Sequence, residues 1–294
     1  MNFDYIDLIQ SLMDGILFGS IYAIIGLGFT LIFGAMHKLN MTYAAASIGG
    51  AYVGIAIVSL IGAPLLVFIV GPIASGLIGL AVYYLCFRFM PTSNQLAPLM
   101  ASIGGLFFID ELIIHETNGS PISFPGIFPD AFFEFGEFGV RGDLIFIAAV
   151  SFVLMGVLLF LVYKTKLGLA TRAVSQHPIA SQLCGIPTHK TNATTFAIAG
   201  VLGGFAGCLA ASTVGVLSPL LTLPLTVKGL IVTVIGGLGS IPGAIIAGFL
   251  IGGLENLFLL VRGVNERDIY VFLVLFLFLF FRPNGIFSST IDRD

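Results

Sequence analysis

Glu255 stands inside an otherwise apolar stretch, where an ionisable side chain is costly enough to suggest a function by default. Two cations are candidate partners. Arg262 lies seven residues on, about two helical turns along the same face, and Lys228 sits in the preceding apolar run. Glu255 therefore reads either as one half of a structural ion pair or as a polar point on a solute pathway, and the residues leave both open. A second signal is GGLGSIPG, which puts Gly236, Gly237, Gly239 and Gly243 beside Ser240 and Pro242. Irregular backbone at membrane depth is tolerated only when buried in protein or lining a watery cavity, and broken helices of this kind build solute sites from freed N–H and C=O groups. The competing reading is a tight interhelical turn. Asp110, Glu111, His115 and Glu116 cluster as a metal site would, but the first two project about 100° apart on a helix, so a hydrated helix end is favoured. Cys86, Cys184 and Cys208 match no metal spacing. No Gly-Lys dipeptide occurs, so no P-loop occurs, and ATP cannot be held by that device.

The elements that must position these residues are membrane helices. Of 294 residues, 57% are hydrophobic and 9% charged, with a mean hydropathy of +1.08. Soluble domains carry roughly a quarter of their residues as charges, so the solvent for most of this chain is lipid. No basic tract points to nucleic acid. The first fourteen residues hold Asp4, Asp7 and Asp14 and no Lys or Arg, unlike a cleaved signal peptide, so the apolar run behind them reads as a first span.

Candidate spans cover roughly 15–36, 47–62, 65–87, 97–114, 143–163, 193–213, 217–236, 243–261 and 269–281. The segment around Pro219 and Pro224 is expected to be broken or partly re-entrant, so the chain is predicted to be an all-α polytopic membrane protein of eight or nine helices in a single domain, 1–294. Lys164, Lys166, Arg172 and Lys190 mark a loop, 164–192, free of Asp and Glu as far as Lys190. Lys38, Arg88 and Arg282 fall at ends that alternate consistently with it, whereas 115–142 is acidic apart from Arg141. The Lys/Arg bias places the basic loop and the C-terminus in the cytoplasm and the N-terminus outside. Gly15/Gly19, Gly50/Gly54, Gly200/Gly204, Gly203/Gly207 and Gly248/Gly252 are each four apart, the spacing that lets helix backbones approach closely in lipid.

The basic loop, KTKLGLATRAVSQHPIASQLCGIPTHK, is too polar for lipid and too patterned for a plain connector. Residues 167–177 favour helix, Pro178 suits the first turn of a second short helix, and Gly185 suits a left-handed end to it. Leu169, Ala173, Ile179, Ala180 and Leu183 form an apolar stripe across the pair, which needs either a partner groove or the membrane surface.

The loop resembles the cytoplasmic coupling loop of the branched-chain amino acid ABC transporter permeases, the LivH/LivM family. The resemblance rests on Gly168, Arg172, Ala173, Ala180, Leu183, Gly185 and Ile186. It continues in order through GSIYAIIGLGFTLIFG at 19–34, TFAIAGVLGGFAGCLAA at 195–211, GGLGSIPGAIIAGFLIGGLEN at 236–256 and FRPNGIF at 281–287. Where the family has Asn-Phe-Ala-His-Gly-Glu, this chain keeps Asn40 but has Tyr43-Ala44-Ala45 in place of His-Gly-Glu.

The resemblance implies a non-enzymatic permease subunit of the bacterial inner membrane that binds no cofactor itself. It would work with two cytoplasmic ABC ATPases carrying ATP and Mg, a sister permease or second copy, and an extracytoplasmic solute-binding protein. Leucine, isoleucine and valine are the default solutes, and urea and amides are carried by close relatives. On that reading the solute pathway takes in Asn40, Tyr43, Gly236, Gly237, Gly239, Ser240, Gly243 and Glu255. The alternatives are an ion- or proton-coupled carrier using Glu255 and, less well supported, a membrane-embedded enzyme, since no span carries a convergent set of His, Asp or Glu.

Overall fold

The computed structural model describes residues 5–90, 96–127, 132–135, 138–263, 266–282 and 285–287. Among them, eight helical segments are long and apolar enough to cross a membrane. They are α1 (Tyr5–Met36), α2 (Thr42–Ile61), α3 (Val67–Val82, extended at both ends to span Pro64–Phe87), α4 (Leu96–Thr117), α5 (Gly142–Lys164), α8 (Thr188–Val214), α9 (Thr222–Gly236, entered through Pro219–Leu221) and α10 (Ile241–Arg262). The short helices α6 (Lys166–Gln176) and α7 (Pro178–Leu183) occupy the basic loop, and α11 (Arg267–Phe281) is a shorter apolar helix.

Helix α1 is the hub, buried almost continuously from Gly19 to Ile32 and packed on α5, α8, α9 and α10. A second layer, α2, α3 and α8, packs against it. The glycine pairs are where these layers touch. A Cβ at Gly252 would lie 2.3 Å from Gly19 Cα, and one at Gly248 would lie 2.4 Å from Ala23 Cα. The same holds for Gly50 and Gly54 against α3, and for Gly200 and Gly204 against Ser75, Gly76 and Pro72. Backbone-to-backbone packing replaces the hydrophobic drive that lipid does not supply. Gly252→Leu is accordingly expected to destabilise the fold by about 1–3 kcal/mol through overpacking. Thermal unfolding in detergent would measure it, and an unchanged midpoint would refute the crossing.

The pair Pro219 and Pro224 does not break a span. Pro219 opens the one-turn 3-10 segment and Pro224 lies in the first turn of α9, where a missing N–H leaves no bond unmade. The inward feature is instead a two-residue ribbon. Strand β1 (Ile122–Ser123) pairs antiparallel with β4 (Val216–Leu217), and Leu217 C=O accepts a hydrogen bond from the Tyr52 hydroxyl halfway along α2, at 3.1 Å. A hairpin of β2 (Phe132–Phe135) and β3 (Phe138–Arg141) fills part of the acidic loop. Neither ribbon was expected of an all-α chain.

The ends of the helices sort by charge. His37 at the end of α1, Tyr163 at the end of α5, Arg172 on α6 and Gly239 after α9 line one cavity. Tyr83 hydroxyl and His189 Nδ1, 3.2 Å apart, join the end of α3 to the start of α8 there. At the opposite end Gln10 Nε2 donates to Gly139 C=O at 2.6 Å, and Ser11 donates to Asn256 C=O at 2.8 Å.

Candidate functional site

The basic-end helix pair is built by a fold-back that only glycine allows. Thr165 is extended and caps α6, its Oγ1 accepting the Gly168 N–H at 3.3 Å and its hydroxyl donating to Leu161 C=O at 2.5 Å. A Cβ on Gly168 would sit 2.0 Å from Val162 C=O, inside the last turn of α5. One turn later, Arg172 lays its guanidinium over the Tyr163 ring, 5.6 Å from the centroid. Pro178 opens α7 at its first turn. Gly185, at φ +84°, closes it: Gly185 N–H bonds Gln182 C=O and Ile186 N–H bonds Ser181 C=O, both at 2.9 Å. That is a Schellman end, which accounts for the Gly-Ile pair. The residues packed inward are Gly168, Val174 and Ser181, with Ala173 half-buried, while Ala180 is exposed. Leu169, Ile179 and Leu183 point away from the bundle, with Leu183 86% exposed.

The glycine-rich segment is a turn between two helices, not a break within one. Gly237 and Gly239 take positive φ, and Ser240 caps α10 by accepting the Gly243 N–H at 3.3 Å. Gly236 and Gly243 pack backbone to backbone, a Cβ on Gly243 falling 1.9 Å from Gly236 C=O. The chain's end locks this turn: Ile286 N–H bonds Ile235 C=O at 2.8 Å and Phe287 N–H bonds Gly236 C=O at 3.3 Å, supplying partners for the last carbonyls of α9. Several of the backbone groups freed at this turn are used by neighbouring backbone. The turn nevertheless forms the floor of a cavity of about 280 Å³ roofed by Arg172 and Ser175 of α6.

Asn40 and Tyr43 each make contacts within the chain. Asn40 Oδ1 accepts the Thr42 N–H at 3.1 Å at the start of α2. Tyr43 is 2% exposed, edge-on to Phe29 at 4.8 Å, in a slot left by Gly28 and Gly203. The ring fills that slot and small alanines follow it, so this stretch of α2 packs without the ionisable residues of the family motif. Beside them half-buried Lys38 has its pKa held below the ordinary lysine value by desolvation.

Glu255 pairs with Lys228, Nζ to Oε1 2.7 Å, and not with Arg262, whose guanidinium lies 5.7 Å from the Tyr270 ring centroid. Lys228 also donates to the Tyr22 hydroxyl at 3.0 Å and lies 3.6 Å from Asp268. Both members of the central pair are buried, at 3% and 8% exposure. Sequence reasoning named Lys228 but missed Tyr22 and Asp268, because neither is spaced from Glu255 by a helical period. Asp110 accepts a hydrogen bond from Thr222 at 2.8 Å, whereas Glu111, His115 and Glu116 are exposed, and no group of three metal-ligating residues forms among the described residues.

The comparisons with known proteins bear on this architecture as a whole. A family model described as branched-chain amino acid transport system / permease component matches residues 11–281. The chain belongs to that family. This permease is 30% identical, over 95% of both chains, to the high-affinity branched-chain amino acid transport system permease protein BraD of Pseudomonas aeruginosa. It is 26% identical, over 97% of both, to the corresponding LivH of Salmonella typhimurium. A probable branched-chain amino acid transport permease protein LivH of Methanocaldococcus jannaschii is 27% identical over 84% of this permease and 80% of its own length.

Proposed function

We propose that this permease is the membrane subunit of an ATP-driven importer for branched-chain or related amino acids. The basic end faces the cytoplasm, so the N-terminus lies outside and the C-terminus inside, in the inner membrane. Separate ABC ATPase subunits hydrolyse ATP and dock on α6 and α7. A solute-binding protein docks at the acidic end, and a sister permease or second copy completes the membrane unit. One observation carries the reading: Leu169, Ile179 and Leu183 are held outward on a helix pair fixed by Gly168 and Gly185, at the end where Lys164, Lys166, Arg172 and Lys190 collect. A rigid apolar stripe flanked by cations suits a helix-in-groove contact.

The native cysteines provide the test. Cys184, at the end of α7, is exposed, while Cys208 is buried and Cys86 half-buried. In intact spheroplasts a membrane-impermeant maleimide is expected to leave Cys184 unlabelled, and to label it once the membrane is opened. Leucine uptake into vesicles should follow internal ATP supply. Labelling from outside, or uptake that follows a proton or sodium gradient without ATP, would overturn the proposal.

A further inference from the structure

The docking of α6 and α7 leaves the basic-end cavity of about 280 Å³ without a role. Thr30 of α1, His37 just past its end and Arg172 of α6 share its lining, and Phe33, Val162 and Leu238 give it an apolar wall. We infer that it binds a phosphate ester, with Arg172, His37 and Thr30 on the anion and the apolar wall against the organic part. The inference concerns a bound anion and is independent of the transported solute.

Three observations point that way. The lining holds a cation and no carboxylate. No Asp or Glu occurs between Asp14 and Asp110 or between Asp143 and Glu255, and every lining residue falls within those two stretches. Among the described residues Arg172 forms no ion pair; its Nε reaches Gly168 C=O at 3.4 Å and its guanidinium lies on the Tyr163 ring. Lys38 and Lys164, next in sequence to the lining residues His37 and Tyr163, add charge of the same sign, so an anion is drawn in. The second observation is Thr30, which is 1% exposed and whose Oγ1 has no hydrogen-bond partner. A threonine within a helix can return its hydroxyl proton to the carbonyl four residues back. Here that carbonyl, of Gly26, accepts from Thr233 of α9 at 3.2 Å instead. A buried hydroxyl without a partner costs stability, and an acceptor arriving with a ligand would satisfy it. Third, α1 ends on His37 in the left-handed region, at φ +53°, with its N–H on Phe33 C=O at 2.7 Å. Glycine is the ordinary residue at such an end, so the backbone accepts strain to set an imidazole in this wall. Donors from three separate positions suit the several oxygens of a phosphate, and the guanidinium fork matches two of them. Helices α1 and α5 both end here, and a cation also complements their last carbonyls. That role alone would leave the Thr30 hydroxyl unmatched. A bound phosphate would tie α6 to the end of α1.

The test uses the membrane assembly purified through this chain in dodecyl maltoside, with binding read by native mass spectrometry. Dioleoylphosphatidylglycerol and glycerol 3-phosphate are the probes, and dioleoylglycerol, which lacks the phosphate, is the control. At least one probe is expected to bind more tightly than the control. Arg172→Gln should weaken that binding on the order of tenfold. Lys166→Gln, which removes an exposed cation of α6 outside the cavity, should change it by less than about twofold. Thr30→Val keeps the shape of the wall and serves if Arg172→Gln fails to accumulate. It should weaken binding about threefold, whereas a wall that holds no anion would leave binding unchanged. Binding of the lipid alone identifies the membrane as the source, and binding of glycerol 3-phosphate alone identifies a soluble ester; either, or both, upholds the site. No binding of either probe, equal binding of dioleoylglycerol, equal losses from Arg172→Gln and Lys166→Gln, or binding that neither Arg172→Gln nor Thr30→Val weakens would overturn it.

Discussion

Glu255→Ala is expected to destabilise this permease by about 3–5 kcal/mol, because it strands the Lys228 ammonium in the bundle. A buried pair loses far more when one partner is removed than it contributes when intact, since the remaining charge keeps its desolvation penalty. Asp268, 3.6 Å away but half-exposed, offers partial compensation and pulls the expected loss toward the lower end of that range. The double variant Lys228→Met with Glu255→Leu should recover most of the loss, since well-packed apolar replacements of buried pairs are often neutral. Thermal unfolding in nanodiscs distinguishes the cases. A single variant as stable as the parent, or a double variant worse than the sum of the singles, would show that the pair does not behave as a coupled unit.

Gly168→Val is expected to abolish uptake while the chain still inserts. Insertion depends on the apolar spans, which the substitution does not touch. The position of α6 depends on an approach to Val162 C=O that a side chain would close to 2.0 Å at its first atom. The helix pair must swing off the end of α5, carrying Leu169 and Arg172 with it. Gly185 separates backbone from space. Nothing lies within 4 Å of a Cβ there, so the only obstacle is its φ of +84°. Gly185→Asn should therefore keep uptake, since asparagine tolerates that region, while Gly185→Trp or deletion of 178–186 should lose it. Wild-type uptake with Gly168→Val, at equal membrane abundance, would remove α6 from the coupling path.

Some of this could be read from residues alone and some could not, for physical reasons. The Gly185 end of α7, the Pro178 start and the glycine crossings follow from local chemistry: a left-handed cap, a missing N–H and a missing Cβ. Helix ends were misplaced where water begins. Helix α1 starts at Tyr5, ten residues before the predicted span, because hydropathy marks the edge of lipid and not the end of hydrogen bonding. The GGLGSIPG segment fits a tight turn and freed backbone alike in sequence, and the partners of the two carbonyls at its start, Ile286 and Phe287, are some fifty residues away. Tyr22 and Lys228 meet across 206 positions, which no periodicity encodes.

The backbone contact between Gly19 and Gly252 also constrains biosynthesis. Helix α1 leaves the ribosome more than two hundred residues before the Gly252 backbone that it packs against. Helices α9 and α10, joined by a short turn, carry Lys228 and Glu255, so the two opposite charges are made within 27 residues of each other. A chain stalled before α10 would therefore lack the backbone face that covers Gly15 and Gly19 of α1.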